Sequence, residues 1–142
     1  MGTIDRVKLS QWDALMLESL RSLGWSDDQL IERVRAGELP ADESDFHFKY
    51  ETLAEYAAAE PDTFEAAVKN GYQIKYNTVR GIRSWILVRF GREPGLLLEE
   101  GQEAVRVSLS AEEKALLTSV LSFGWTLREE SESVFWVEPI QR

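Results

Sequence analysis

Apolar positions along this chain keep two rhythms, a helical one toward the front and an alternating one toward the back. After Ser10, the apolar residues Met16, Leu20 and Leu23 return every three to four positions, the spacing of one helix face. The stretch before them, Arg6-Val7-Lys8-Leu9, alternates, which suits a short strand with Val7 and Leu9 on one side. Ser10 stands three residues ahead of Asp13, the spacing by which a helix N-cap and an acid satisfy exposed N–H groups. The same pattern returns a hundred residues later. Residues 6–25 and 106–125, aligned without a gap, are identical at nine of twenty positions, where unrelated sequences would share about one or two. In the second stretch Ser110 and Glu113 form the capping pair, and Leu116, Val120 and Phe123 form the stripe. Gly24 and Gly124 predict helix stops, since glycine enters the left-handed region without steric cost. Trp25 and Trp125 predict buried plugs. Each stretch therefore reads as a strand–capped-helix–Gly-Trp unit, and the pair as an internal duplication.

After the two Trp residues the stretches diverge. Ser26 and Gln29 form a capping pair for a second helix ending at Gly37, with Trp25 placed to staple onto Leu30. The later stretch continues as two alternating runs separated by Glu-Glu-Ser-Glu-Ser, which predicts a β-hairpin. Between them, residues 39–46 read as a polar loop, Phe48 to Glu60 as a helix, and Pro61 as the first position of another helix ending at Gly71. Asn77-Thr78 caps a helix to Phe90 with Val79, Ile82, Ile86 and Phe90 on its inner stripe. A buried strand over residues 84–90 is the competing reading of the same run. Residues 95–109 predict a hairpin turning near Glu100-Gly101. The expected fold class is α+β, helix-rich in its N-terminal and central parts, with β-hairpins toward the C-terminus. The expected organisation is one compact domain over 1–142. Its substructure would be 1–40 (first helix pair), 46–92 (central helical segment) and 95–142 (second repeat with hairpins).

Charge adds an asymmetry that the apolar pattern does not show. The chain has 142 residues and a net charge of −9, which on average repels nucleic acid and anionic membranes. Glu38 to Glu65 carries nine acids against Lys49 alone, whereas Ala66 to Arg92 carries six bases and no acid. Cysteine is absent, so disulfides and thiolate chemistry are excluded. The opening residues lack an apolar leader, Arg6 stands where a myristoylation signal needs Ser or Thr, and no segment approaches membrane-spanning length. A cytoplasmic protein without membrane contact is the expectation.

Candidate chemistry is sparse. His47 is the only histidine, set among Phe46, Phe48 and Tyr50, a setting that suits a core-side residue better than a catalytic base. The glycines at 81, 91, 95 and 101 are too dispersed to cradle a phosphate. The acids at 42, 43 and 45 do not follow a Ca²⁺-loop spacing. A nucleophile would lack its neighbouring base. No enzyme, no metal and no cofactor is expected.

The basic stretch carries the functional expectation. In Phe64 to Ile86, Ala66-Ala67 supply small residues, Gly71-Tyr72 a turn, and Thr78-Val79-Arg80 the start of a second helix. These residues resemble the general helix-turn-helix consensus over about twenty residues, though Gly71 to Asn77 is longer than its usual turn. The resemblance implies a nucleic-acid-binding regulatory protein contacting DNA or RNA through Lys69, Lys75, Arg80, Arg83 and Arg89. Tyr72 and Tyr76 would lie beside these cations, a mixture that also suits single strands. The alternative is an adaptor in which the basic stretch meets the acidic segment, within the chain, in a homodimer or on a protein partner.

Overall fold

A computed structural model describes residues 7–41 and 48–140. These contain six helices and six strands, an α+β fold. Two compact units divide the chain, residues 1–72 and residues 73–142. The division falls inside the central segment that the sequence pattern kept whole.

The first unit holds β1 (Val7–Leu9), α1 (Gln11–Arg21), α2 (Asp27–Ala36), α3 (Glu51–Ala59) and α4 (Pro61–Asn70). Ser10 caps α1, its hydroxyl accepting from the Asp13 amide at 3.1 Å. Ala14, Leu15, Met16, Leu17 and Leu20 are buried, so this helix gives a broad face to the core. Ser26 and Gln29 close a reciprocal capping box on α2. Gly37 ends that helix at φ 73, with the Gly37 and Glu38 amides donating back to the Val34 and Arg33 carbonyls. Pro61 opens α4, where a missing N–H costs nothing. Leu30, Val34, Leu53, Phe64 and Val68 complete the interior.

Strand β2 (Tyr72–Ile74) crosses the division. The second unit continues with α5 (Val79–Phe90), β3 (Gly95–Leu97), β4 (Ala104–Ser108), α6 (Ala111–Val120), β5 (Trp125–Ser131) and β6 (Val134–Pro139). The last four strands form an antiparallel sheet in the order β3-β4-β6-β5. Both expected hairpins are present, β3-β4 and β5-β6. Alternation assigns the faces: Val105, Val107, Phe135 and Val137 are buried, while Arg106 is exposed and lies across from Trp136. Helix α5 covers β3 and β4 and buries Ile82, Trp85 and Ile86. Residues 84–90 are therefore helical, because Thr78 caps the run and Gly91, at φ 70, ends it after twelve helical residues.

The two similarly written stretches agree in their starts and part in their ends. Strands β1 and β4 precede the caps, and Ser110 holds the Glu113 amide at 3.1 Å as Ser10 holds that of Asp13. Gly24 and Gly124 have φ of +90 and +100, but neither stops a helix: α1 ends at Arg21 and α6 at Val120. Leu23 is 51% exposed and Phe123 84% exposed, because both lie beyond the last helical turn, where the stripe no longer applies. The buried face of α6 is made instead by Leu117 and Val120. Trp25 and Trp125 are partly buried rather than plugs. Trp25 carries the Arg33 guanidinium 4.8 Å above its ring, and Trp125 opens β5 opposite Pro139.

Candidate nucleic-acid interface

The basic stretch divides into cations already partnered and cations that are not. Lys69, at the end of α4, sits 3.3 Å from Glu65 and 3.4 Å from Asp28. The hydrogen bond to Glu65, then that to Asp28, raises its pKa above the ordinary lysine value. Arg83 donates to Glu93 at 2.9 Å. Arg92 forms a two-pronged bond to Glu113 at 2.7 and 2.6 Å and reaches the Ser108 carbonyl at 2.7 Å. Arg89 is exposed, its guanidinium 6.0 Å from the Phe90 ring. Lys75 and Arg80 are exposed, and neither side chain has an ion-pair or hydrogen-bond partner among the described residues. Of the five expected contact residues, Lys69 belongs to the first unit and the other four to the second.

The connection between α4 and α5 is not a tight turn. Tyr72, Gln73 and Ile74 form strand β2, in which Tyr72 and Ile74 are buried. Tyr72 lies away from any solvent-facing site, its hydroxyl donating to Glu18 Oε2 at 2.6 Å. The helix-turn-helix expectation fails at this point for a local reason: the Tyr-x-Ile alternation is strand-forming and consumes the residues a short turn would need. Tyr76, by contrast, is 84% exposed, between Lys75 and Asn77.

What holds this surface in place is a clamp between two loops of the second unit. The Asn77 amide donates to Ser122 Oγ at 3.2 Å, and the Ser122 amide returns a bond to Asn77 Oδ1 at 2.7 Å. Gln73 Nε2 donates to the Leu121 carbonyl at 3.0 Å. Thr78 then caps α5 by accepting from the Gly81 amide at 3.1 Å, and the first turn of that helix carries Arg80 and no acid. A helix start of this kind favours anions. No motif signals this clamp, whose halves lie 45 residues apart.

Charge is also distributed unevenly between the units. Residues 1–72 hold seven Lys and Arg against fifteen acids, while residues 73–142 hold nine against ten. The net acidity of the chain thus belongs to the first unit, and the second is close to neutral. Within the second unit Glu93, Glu113, Glu130 and Glu138 are committed to arginines.

Two features of the first unit had no sequence signal. Glu18 is 4% exposed and accepts from Tyr72 and from Arg21 Nε at 3.2 Å. Arg21 also bonds Asp27 and the Val68 carbonyl, which makes the group a brace rather than a reactive centre. A cavity of about 610 Å³ is lined by Leu39, Pro40, Phe48, Tyr50, Ala54 and Ala58 among others. His47 and the acids at 42, 43 and 45 lie outside the described residues. Among the described residues no cluster of His, Asp and Glu could hold a metal ion, and no helix is long and apolar enough to cross a membrane. No protein-family model, curated protein or solved structure matches the chain.

Proposed function

We propose that this chain is a small non-enzymatic nucleic-acid-binding protein whose working surface is the start of α5 and the loop before it. One observation carries the reading: Lys75 and Arg80 are exposed and unpartnered among the described residues, on either side of the exposed Tyr76, on a unit that is nearly neutral. The contact set is thereby reduced to Lys75 and Arg80, because the carboxylates on Lys69 and Arg83 compete with any phosphate. Changing Lys75 and Arg80 together to Ala is expected to weaken binding and to flatten the salt dependence by about two units, one per phosphate contact. A filter-binding titration at low salt is the test. Failure to retain any mixed-sequence DNA or RNA would sink the proposal.

A second reading, a self-associating or partner-binding adaptor, is favoured by the pairing of Lys69 with Glu65, which joins the basic stretch to the acidic segment. It expects self-association or partner binding, weakened by salt because exposed ion pairs are screened.

A further inference from the structure

We propose that Asn70 is a site of spontaneous chemical modification, at which its carboxamide is lost as ammonia and a carboxylate takes its place. This goes beyond the proposed function and does not depend on it. The chain holds two asparagines, Asn70 and Asn77, and the fold treats them in opposite ways. Asn70 is the last residue of α4, is exposed, and its side chain has no hydrogen-bond partner among the described residues. Gly71 follows it, outside the helix at φ 90 and ψ 173. Without a Cβ, this residue leaves its own amide nitrogen open to approach and its backbone free to turn. The glycines that end α2 and α5 are tied back, Gly37 to the Val34 carbonyl at 3.2 Å and Gly91 to that of Leu87 at 2.9 Å. The Gly71 amide makes no such bond among the described residues. Rotation about the Asn70 Cα–C bond therefore carries the Gly71 nitrogen toward Cγ of Asn70 without breaking a hydrogen bond of that nitrogen.

Asn77 supplies the contrast. Its Oδ1 accepts from the Ser122 amide at 2.7 Å, its own amide donates to Ser122 Oγ at 3.2 Å, and its Nδ2 is buried. The residue after it, Thr78, is β-branched and fixed by its cap on α5. That carboxamide is held in place and shielded from water. At Asn70 the change balances with water as the only co-reactant. The Gly71 nitrogen bonds to Cγ, the Cγ–Nδ2 bond breaks, and Nδ2 leaves as ammonia with the amide proton. Water then opens the cyclic imide. Opening at Cγ gives aspartate, and opening at the backbone carbonyl carbon gives isoaspartate, whose chain runs through the side chain. Either product sets a negative charge in the last turn of α4, where the helix dipole opposes it. Isoaspartate also adds a carbon to the backbone two residues before Tyr72, whose hydroxyl holds the buried Glu18.

The test is peptide mapping by mass spectrometry of the full chain stored at mildly alkaline pH, with isoaspartate counted by enzymatic methylation. Asn70 is expected to convert, with release of ammonia, while Asn77 stays intact over the same period. Conversion should quicken as pH rises, because the attacking nitrogen must lose its proton. Asn70→Ala should abolish the change and keep the wild-type circular dichroism, since the side chain is exposed and unpartnered among the described residues. Stored wild-type protein should show a lower urea midpoint than fresh protein, whereas stored Asn70→Ala should not. An Asn70 that stays intact in the folded chain, or an Asn77 that converts as fast, would overturn the proposal. An unchanged midpoint in fully converted protein would overturn its consequence for the brace at Glu18. Neither result bears on the nucleic-acid reading, which is tested at Lys75 and Arg80.

Discussion

Residues 7–25 and 107–125 begin alike and are used differently. In the first, position 18 is a glutamate sunk into the interior, gripped by Tyr72 and Arg21. In the second, the corresponding residue is Thr118, exposed and bonding back to the Lys114 carbonyl of its own helix. Arg21 corresponds to Leu121, a buried apolar residue whose carbonyl receives Gln73. One stretch is braced by charge and the other by apolar burial with a backbone bond. The paired Gly-Trp steps teach the same lesson. Gly24 and Gly124 share a left-handed backbone, yet Ser26 then caps a helix while Thr126 and Leu127 run on in a strand. Local signals decide where an element starts. Distant neighbours decide what its interior contains.

The largest expected effect tests that difference directly. Glu18→Ala should cost about 2–4 kcal/mol, since it strips partners from a buried tyrosine hydroxyl and an arginine. Thr118→Ala should cost nothing or stabilise slightly, because alanine is the better helix former and the back-bond is lost without harm. Urea midpoints with unchanged slopes are the measurement. Equal costs at the two positions would erase the distinction between a charged and an uncharged brace.

A smaller effect tests what the stretches share. Ser10→Ala and Ser110→Ala should each cost about 1 kcal/mol, the usual value of a lost N-cap. Ser110 should stand at the higher end, because Glu113 bonds back to its amide at 2.9 Å and is itself held by Arg92. Thermal midpoints that moved for one variant only would show that the similar starts do unlike work.

The smallest effect belongs to acid. The Arg92 guanidinium, and after it the Ser110 amide, hold the Glu113 carboxyl below the ordinary value of 4.5. A carboxyl depressed in the folded state binds fewer protons there than in the unfolded chain, so stability rises with pH. Its contribution is complete above the unfolded value and is lost as pH falls through the lower folded one. Glu113→Gln should therefore flatten the acid limb of a stability-against-pH curve and leave its neutral part lower. An unchanged acid limb would remove Glu113 from the account.

Capping pairs, the proline at the head of α4 and both hairpins were legible because each depends on residues a few positions apart. The burial of Glu18 was not, since its tyrosine partner lies 54 residues on. Leu23 and Phe123 misled for the opposite reason: a periodic stripe projects past the point where the helix has ended. The alternation in Tyr72-Gln73-Ile74 was visible but was absorbed into a turn, and that one assignment carried the helix-turn-helix resemblance with it. Lys75 and Arg80 emerged from the basic stretch only after the carboxylates near Lys69, Arg83 and Arg92 were located in space.

Strand β5 has a consequence for how the molecule behaves in a crowd. It forms one margin of the four-stranded sheet, and open margins invite strands from other copies. Its outer residues include Arg128, Glu129 and Glu130, and its register slips between Glu129 and Ser131. Arg128 is drawn to Glu138 and Glu130 to Arg106, so charges are fastened across the strands at the place a newcomer would have to dock. The opposite margin, β3, holds the apolar run of Leu96 and Leu97 but is only three residues long, between Pro94 and the acids Glu99 and Glu100. Charge and a kink guard one border and brevity guards the other, so the sheet offers neither side as a template for fibre growth.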